Sequence, residues 1–116
     1  MDALTGSFLE NKIIAVDFDG TLCQNRWPEI GRPNLELINT LILAKKEFQV
    51  KVILWTCRRD DLLTDAIAFC KELGLEFDAV NENLPEVIGW MHGDSRKIFA
   101  NLYIDDRNCA ITPFFN

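Results

Sequence analysis

Cysteine and histidine motifs for binding metal are missing from this sequence. It has one histidine, His92, and no C-x-x-C pair among its cysteines, which are Cys23, Cys57, Cys70 and Cys109. Structural zinc sites draw their ligands from such pairs, so the spacing argues against one. Residues 1–12 also lack the basic start and apolar run of an export signal. We therefore expect reduced thiols and a cytoplasmic location.

Long apolar segments and an excess of basic residues are also lacking. The longest apolar runs, such as Ile13–Val16 and Leu41–Ala44, are far too short to span a membrane. The 12 basic and 18 acidic residues give a formal net charge of −6, which argues against non-specific binding to nucleic acid or to an anionic membrane. An anionic substrate is compatible with this charge, because a magnesium ion and a few local cations reverse its sign inside one pocket.

Apolar residues are present in a quantity that suits one domain. The chain has 116 residues, of which 48% are hydrophobic, and this is enough for one core but not for two. We predict a single domain over residues 1–116.

Four apolar runs predict strands, and they alternate with helical patterns. Lys12–Asp17, Gln49–Thr56 and Leu102–Asp105 are typical of buried parallel strands, and a weaker one lies near Phe77–Val80. This alternation predicts an α/β fold, with an open parallel sheet of about four strands flanked by helices.

Helix ends and loops follow from capping residues and from glycine and proline. Asn34 is a predicted N-cap of a helix that runs to about Glu47, and Asp60 or Asp61 caps a second helix that ends before Gly74. We expect a short third helix over Ser95–Ala100. Residues 19–33 hold two glycines and two prolines and are predicted to form an irregular loop. Residues 81–94 are also loop-like, with one helical turn after Pro85.

Polar residues stand where the predicted strands end. Asp17, Thr56 and Asp105 each close an apolar run, and ligands of open α/β sheets bind at the carboxyl ends of the strands. Asp19 and Asp106 add two more carboxylates there. Such a cluster is costly unless a cation neutralises it, and magnesium suits carboxylate oxygens. The competing interpretation is that these are turn residues, since Asp-Gly is a common turn; that both strands end in the same way favours a site.

The same segments carry a resemblance to a known family. The run Val16–Leu22, with the sequence Val-Asp-Phe-Asp-Gly-Thr-Leu, resembles the first motif of the haloacid dehalogenase-like superfamily. Ile53–Thr56 resembles its second motif, Lys97 its third, and Leu102–Asp106 its fourth. The motifs stand in the right order and cover nearly the whole chain.

The resemblance implies a Rossmann-like core and a magnesium-dependent phosphomonoester hydrolase that acts through an aspartyl-phosphate. Asp17 would be the nucleophile, and Asp19 the general acid and then the base that activates water. Thr56 would bind a phosphoryl oxygen, and Lys97 would neutralise charge on Asp17 and on the phosphoryl group. The implied magnesium ligands are Asp17, Asp19, Asp105 and Asp106.

Family members often carry an inserted cap over the site, for which this chain has little room. The 39 residues from Asp17 to Thr56 and the 41 from Thr56 to Lys97 are used by the predicted elements. We expect a minimal, capless member. We also expect the family's usual fifth strand to be absent, because only ten residues follow Asp106. An open site admits bulky substrates or is closed by a partner subunit, so an oligomer stays open.

Two arginines, Arg58 and Arg59, follow Thr56 directly. Arginine suits bidentate contacts with oxygen, so Arg58 is a candidate for binding an anionic group of the substrate. The other interpretation is a solvated turn in which the arginines pair with Asp60 and Asp61.

Three functions fit the sequence. Besides a hydrolase, these are a phosphotransferase with the same intermediate and a non-catalytic binding or regulatory domain of the same fold. The phosphorylated substrate is equally open between a sugar phosphate, a nucleotide and a macromolecule.

Overall fold

A computed structural model describes residues 10–95 and 97–106. These residues form six strands and three helices. In chain order they are β1 (Ile13–Val16), β2 (Cys23–Arg26), β3 (Glu29–Pro33), α1 (Leu35–Phe48), β4 (Lys51–Leu54), α2 (Asp60–Glu72), β5 (Ala79–Val80), α3 (Pro85–Met91) and β6 (Leu102–Ile104).

Four of the strands form one parallel sheet in the order β5-β4-β1-β6. Ala15 in the central strand β1 pairs with Ile53 of β4 on one side and with Tyr103 of β6 on the other. The predicted fold class is confirmed: an open parallel sheet of four strands is flanked by helices. The strands are short and apolar because both faces of the sheet are covered.

The strand order reverses at β1. The chain leaves β1 for β4 and β5 on one side, and it then returns to β6 on the other side of β1. The backbone N–H of Asp17, just past β1, donates to the carbonyl of Ile104 in β6 at 2.9 Å. Asp17 and Asp105 therefore follow the two strands that meet at the reversal, where open α/β sheets bind their ligands.

The alternation of side chains along β1 separates two cores. Ile14 and Val16 point to the face covered by α1 and α2, where Ile38, Leu41, Ala66 and Cys70 are buried. Ala15 points to the other face, where Ile53, Leu84, Val87 and Ile98 are buried under α3 and the segment before β6. The two layers hold the strand ends in fixed relative positions.

The helix ends agree in part with the sequence. Asn34 is the N-cap of α1, and its Oδ1 accepts from the N–H of Leu37 at 3.2 Å. Gly74 follows α2 with a φ of +97°, a left-handed conformation that suits glycine at a helix end. The predicted cap of α2 is wrong. Arg59 holds that position with no capping side chain, and Asp60 and Asp61 lie in the first turn of the helix.

The predicted loop over residues 19–33 is wrong from Cys23 onwards, where β2 and β3 form an antiparallel hairpin. Trp27 and the cis-bonded Pro28 form its turn. Only Cys23 of β2 is buried, and Gln24, Asn25 and Arg26 are exposed. A ribbon that is mostly solvated lacks the apolar alternation by which strands are detected.

The predicted helix over Ser95–Ala100 is also wrong, because the described residues of that segment are not helical. Their polar groups bind elsewhere: Phe99 N–H donates to Asn83 Oδ1 at 2.6 Å, and the Tyr103 hydroxyl donates to the carbonyl of Ile98. Such side-chain bonds offer the backbone an alternative to a helical ladder. The helix in this region is α3, which extends beyond the single turn predicted after Pro85.

Across the described ranges, no helix combines the length and apolar character needed to cross a membrane. The elements between β1 and β6 in the described residues are the hairpin, α1, β4, α2, β5 and α3. None of them forms a separate cap domain. The expectation about a fifth strand concerns residues 107–116, which lie outside the described residues.

Candidate active site

The turn after β1 places two carboxylates at the reversal of strand order. Buried Phe18 anchors this turn, since its carbonyl accepts from the N–H groups of Thr21 and Leu22 at 3.1 and 2.9 Å. Gly20 has a φ of +83°, and a Cβ there would lie 3.3 Å from Cβ of Asp106. The turn that carries Asp17 and Asp19 therefore packs against the acidic pair that follows β6.

The charge of Asp17 is disfavoured by its surroundings. Burial raises the pKa of Asp17 above its ordinary value, and the negative charges of Asp106, Asp19 and Asp105 raise it further. One hydrogen bond lowers the pKa of Asp17: the N–H of Phe18 donates to Asp17 Oδ1 at 2.8 Å. The other three acidic residues predicted from the sequence are thus close enough to Asp17 to disfavour its charge.

This donor set suits a hard divalent cation, because carboxylate oxygens are its preferred ligands and the charge at Asp17 calls for neutralisation. The residues that would hold it are Asp17, Asp105 and Asp106. Within residues 10–95 and 97–106, no three acidic, histidine or cysteine side chains stand together as a ready ligand group. Asp19 is the least suited of the predicted ligands, because both of its oxygens already accept from Arg58.

Arg58 lies inside the protein and not on the predicted substrate surface. Its side chain is 0% exposed, and its guanidinium grips Asp19 with two bonds, Nε to Oδ2 at 2.8 Å and Nη2 to Oδ1 at 2.7 Å. Nη1 donates to the carbonyl of Pro28 at 3.1 Å, and Nη2 also donates to that of Glu29 at 3.0 Å. The bond to Asp19, followed by the charge of Asp19, raises the pKa of Arg58 against the effect of burial.

Both sequence interpretations of Arg58 are therefore corrected. The guanidinium does not face an open site, and it does not pair with Asp60 or Asp61. Its carbon Cζ lies 5.0 Å from the ring centre of Phe18 and 5.1 Å from that of Trp27. A buried guanidinium needs a paired carboxylate and satisfied donors, and Asp19 with the hairpin turn supplies both.

Thr56 is positioned at the end of β4 by two hydrogen bonds. Its N–H donates to Asn81 Oδ1 at 2.8 Å, and its Oγ1 accepts from the N–H of Arg58 at 3.2 Å. A hydroxyl has one donor and two acceptor sites, so the second bond uses an acceptor site and leaves the hydrogen for another acceptor.

Lys97 is not brought to Asp17. It is exposed, and the charges that act on Asp17 are those of three carboxylates. Lys97 lines an open groove of about 410 Å³ together with Phe99 and Tyr103. The backbone on both sides of it is held by buried Asn83, whose Oδ1 accepts from the N–H of Phe99 at 2.6 Å and whose amide donates to the carbonyl of Ser95 at 3.5 Å. The structure therefore fixes this segment but gives Lys97 no ion pair with Asp17 among the described residues.

Comparisons with known proteins found similarity to a solved structure and to no family model or curated protein. No family model matches the chain, and no curated protein matches it. A solved structure of a conserved protein from Bacteroides thetaiotaomicron is similar, with a TM-score of 0.75 and 44% identity over 87% of this chain and 80% of that one. The chain belongs to the family of that conserved protein. The TM-score shows that the two proteins share their fold.

Sequence reasoning missed Asn81, Asn83 and the tie between Arg58 and Asp19. Asn81 directly follows β5, as Asp17 follows β1, so the strand-end rule that selected the aspartates also applied to it. Asn83 gave no such signal. Its partners, Asp94 and Phe99, lie 11 and 16 residues further along the chain.

The raised pKa of Asp17 makes a prediction about stability. Since its ordinary value is 3.8 and the folded protein holds the proton more tightly, stability falls as the pH rises from 3.8 through the raised pKa. In metal-free buffer at neutral pH, Asp17→Asn should therefore raise the midpoint of thermal unfolding. The gain should shrink as the pH falls towards 3.8.

Thermal melts between about pH 4 and pH 8 measure this gain. The matched control is Asp61→Asn on the exposed first turn of α2, which should show no comparable pH-dependent gain. A lower midpoint for Asp17→Asn than for the parent at neutral pH would contradict the electrostatic account of this site.

Proposed function

We propose that the protein is a magnesium-dependent phosphomonoester hydrolase that forms an aspartyl-phosphate on Asp17, and that it is a minimal, capless member of the haloacid dehalogenase-like superfamily. The observation that carries the proposal is the position of Asp17. It is a half-buried carboxylate where the strand order reverses, and its charge is disfavoured by burial and by three acidic neighbours.

In the first step, an oxygen of Asp17 attacks phosphorus while the bond from phosphorus to the ester oxygen breaks. The N–H of Phe18 holds Oδ1 at 2.8 Å, which orients the carboxylate and leaves Oδ2 to attack. Asp19 gives a proton to the leaving oxygen, and the Thr56 hydroxyl donates to a phosphoryl oxygen. Asp17, Asp105 and Asp106 would hold a divalent cation, which would supply charge neutralisation.

In the second step, water attacks the phosphorus of the aspartyl-phosphate and restores Asp17. Asp19, deprotonated by the first step, takes a proton from this water and returns to its starting state. The ion pair with Arg58 favours the carboxylate form of Asp19, which suits the base of the second step. A carboxylate has about four lone-pair sites and the bidentate contact uses two of them, so one of the other two carries the proton that Asp19 gives to the leaving oxygen in the first step. The atoms and charges of the two steps balance without a further reactant.

The phosphotransferase alternative shares the first step, and phosphate release measured with and without acceptor alcohols separates it from hydrolysis.

The substrate class is tested by phosphate release from a panel that contains sugar phosphates, nucleotides and a phosphopeptide. No release from any ester, with magnesium present, would count against the proposed function and favour a binding domain. The cytoplasmic location and an oligomer stay predictions.

Activity is expected to require a divalent cation, because carboxylates that repel one another must hold the anionic substrate. Dialysis against EDTA should remove phosphate release to background, and added Mg²⁺ should restore it. As a readout independent of turnover, Mg²⁺ should raise the thermal midpoint of the parent more than that of Asp105→Asn. Hydrolysis that survives complete chelation would show the metal assignment to be wrong.

A further inference from the structure

Arg58 joins three parts of the site, two of which lie 29 to 39 residues away from it in the sequence. Its guanidinium holds both carboxylate oxygens of Asp19 and the carbonyls of Pro28 and Glu29 in the hairpin turn. Its backbone N–H donates to Thr56 Oγ1. The carboxylate, the hydroxyl and the hairpin are thus fixed by one residue.

We propose that Arg58 is a positioning residue, which sets the orientation of the Asp19 carboxylate and locks the β2–β3 turn against the site without contacting substrate. This inference rests on the proposed function, in which Asp19 is the acid and base. It assigns to Arg58 a role in the rate of the chemical steps and none in substrate affinity.

The geometry supports orientation because a planar guanidinium bound through Nε and Nη2 fixes the plane of the carboxylate as well as its distance. A lysine ammonium is a point charge on a flexible stem and cannot reproduce this fork. Acid–base catalysis depends on such placement, since an error of about 1 Å costs on the order of 100-fold in rate.

The location of Arg58 argues against a substrate contact. Its side chain is 0% exposed, whereas the Asp19 side chain that it holds is 17% exposed. Four hydrogen bonds already occupy the guanidinium, and the rings of Phe18 and Trp27 lie beside it. The Asp19 carboxylate is therefore accessible from the site, and the Arg58 guanidinium contacts it from the buried side.

The test compares Arg58→Lys with Arg32→Lys, which makes the same change on the exposed surface of β3. For Arg58→Lys we expect kcat to fall about 100-fold while KM stays within about threefold. Arg32→Lys should leave both constants unchanged. A rise in KM with an unchanged kcat would overturn the inference, because it is the result for a substrate-binding arginine.

Chemical rescue supplies a readout that a merely structural role would not move. In Arg58→Gly, guanidinium ion at a concentration that does not unfold the parent should restore part of kcat, and ammonium ion at the same concentration should not. Equal effects of the two ions would contradict a role for the fork. If Arg58→Gly does not fold, as judged by circular dichroism, the kcat and KM values of Arg58→Lys decide.

Hydrogen exchange separates a failure of this inference from a failure of the proposed function. Exchange at Asp19 and in the turn at Trp27–Glu29 should be faster in Arg58→Lys than in Arg32→Lys. If the parent shows no turnover, the proposed function is wrong, and so is the catalytic role of Arg58. Hydrogen exchange then still shows whether Arg58 holds the turn in place. Equal exchange rates in Arg58→Lys and Arg32→Lys would show that Arg58 does not hold Asp19 and the turn in place.

Discussion

Replacing Asp17 with asparagine should abolish turnover and leave the fold intact. Asparagine keeps the size of the side chain, and its Oδ1 still accepts from the N–H of Phe18. The lost group is the nucleophile, so the covalent step disappears with it. The expected loss in kcat is on the order of 10⁴-fold or more, as when one member of a catalytic unit is removed.

Initial rates of phosphate release measure this loss, with thermal melts on the same samples. Asp61→Asn serves as the matched control and should retain the parent rate. A folded Asp17→Asn protein that keeps a tenth of the parent activity would exclude Asp17 as the nucleophile.

Replacing Asp19 should slow hydrolysis of the intermediate more than its formation when the leaving group is good. Nitrophenolate needs little protonation to leave, whereas the attack of water always needs a base. General-base help is typically worth about 10²- to 10⁴-fold. The variant should therefore show a burst of nitrophenolate followed by turnover that is slower by that factor.

The contact with Arg58 decides which substitution suits this test. Asp19→Ala leaves a buried guanidinium without its carboxylate, and breaking such a pair costs about 3–5 kcal/mol of stability. Asp19→Asn also removes the charge partner of Arg58, but it keeps the size of the side chain and one oxygen that accepts from the guanidinium, so we expect it to lose less stability than Asp19→Ala. Thermal melts on the same samples show whether the variant is folded under the assay conditions.

A poor leaving group provides the control for Asp19→Asn. With an alkyl phosphate, the first step also needs a proton from Asp19, so no burst should appear. If the burst is absent with nitrophenyl phosphate as well, and both steps slow equally, Asp19 is not the base of the second step.

The sheet was predictable because buried parallel strands are marked by short, continuous apolar runs. Ile13–Val16 and Leu102–Ile104 have this pattern, and the carboxylates that follow them were placed at one edge by the general rule for open α/β sheets. No knowledge of side-chain contacts was needed for this step. The proximity of Asp19, Asp105 and Asp106 to Asp17 follows from the topology.

The pairing of Arg58 with Asp19 was not predictable in this way. The two residues are 39 positions apart, and nearby Asp60 and Asp61 offered the arginine a local partner. The choice depends on the hairpin, whose turn supplies two further acceptors, and the polar strand β2 carried no signal for that hairpin. Lys97 was placed by motif order alone, and motif order does not determine where a long, exposed side chain points.

The covalent intermediate at Asp17 is the central step of the proposed reaction, and trapping that intermediate is the most direct test of it. The parent and Asp19→Asn are mixed with nitrophenyl phosphate and Mg²⁺, quenched in acid within the burst, digested and examined by mass spectrometry. A phosphoryl group should be found on Asp17, more of it in Asp19→Asn than in the parent, and hydroxylamine should remove it. Turnover by the parent with no phosphoryl group on Asp17 in either protein, or with one on another residue, would contradict the account.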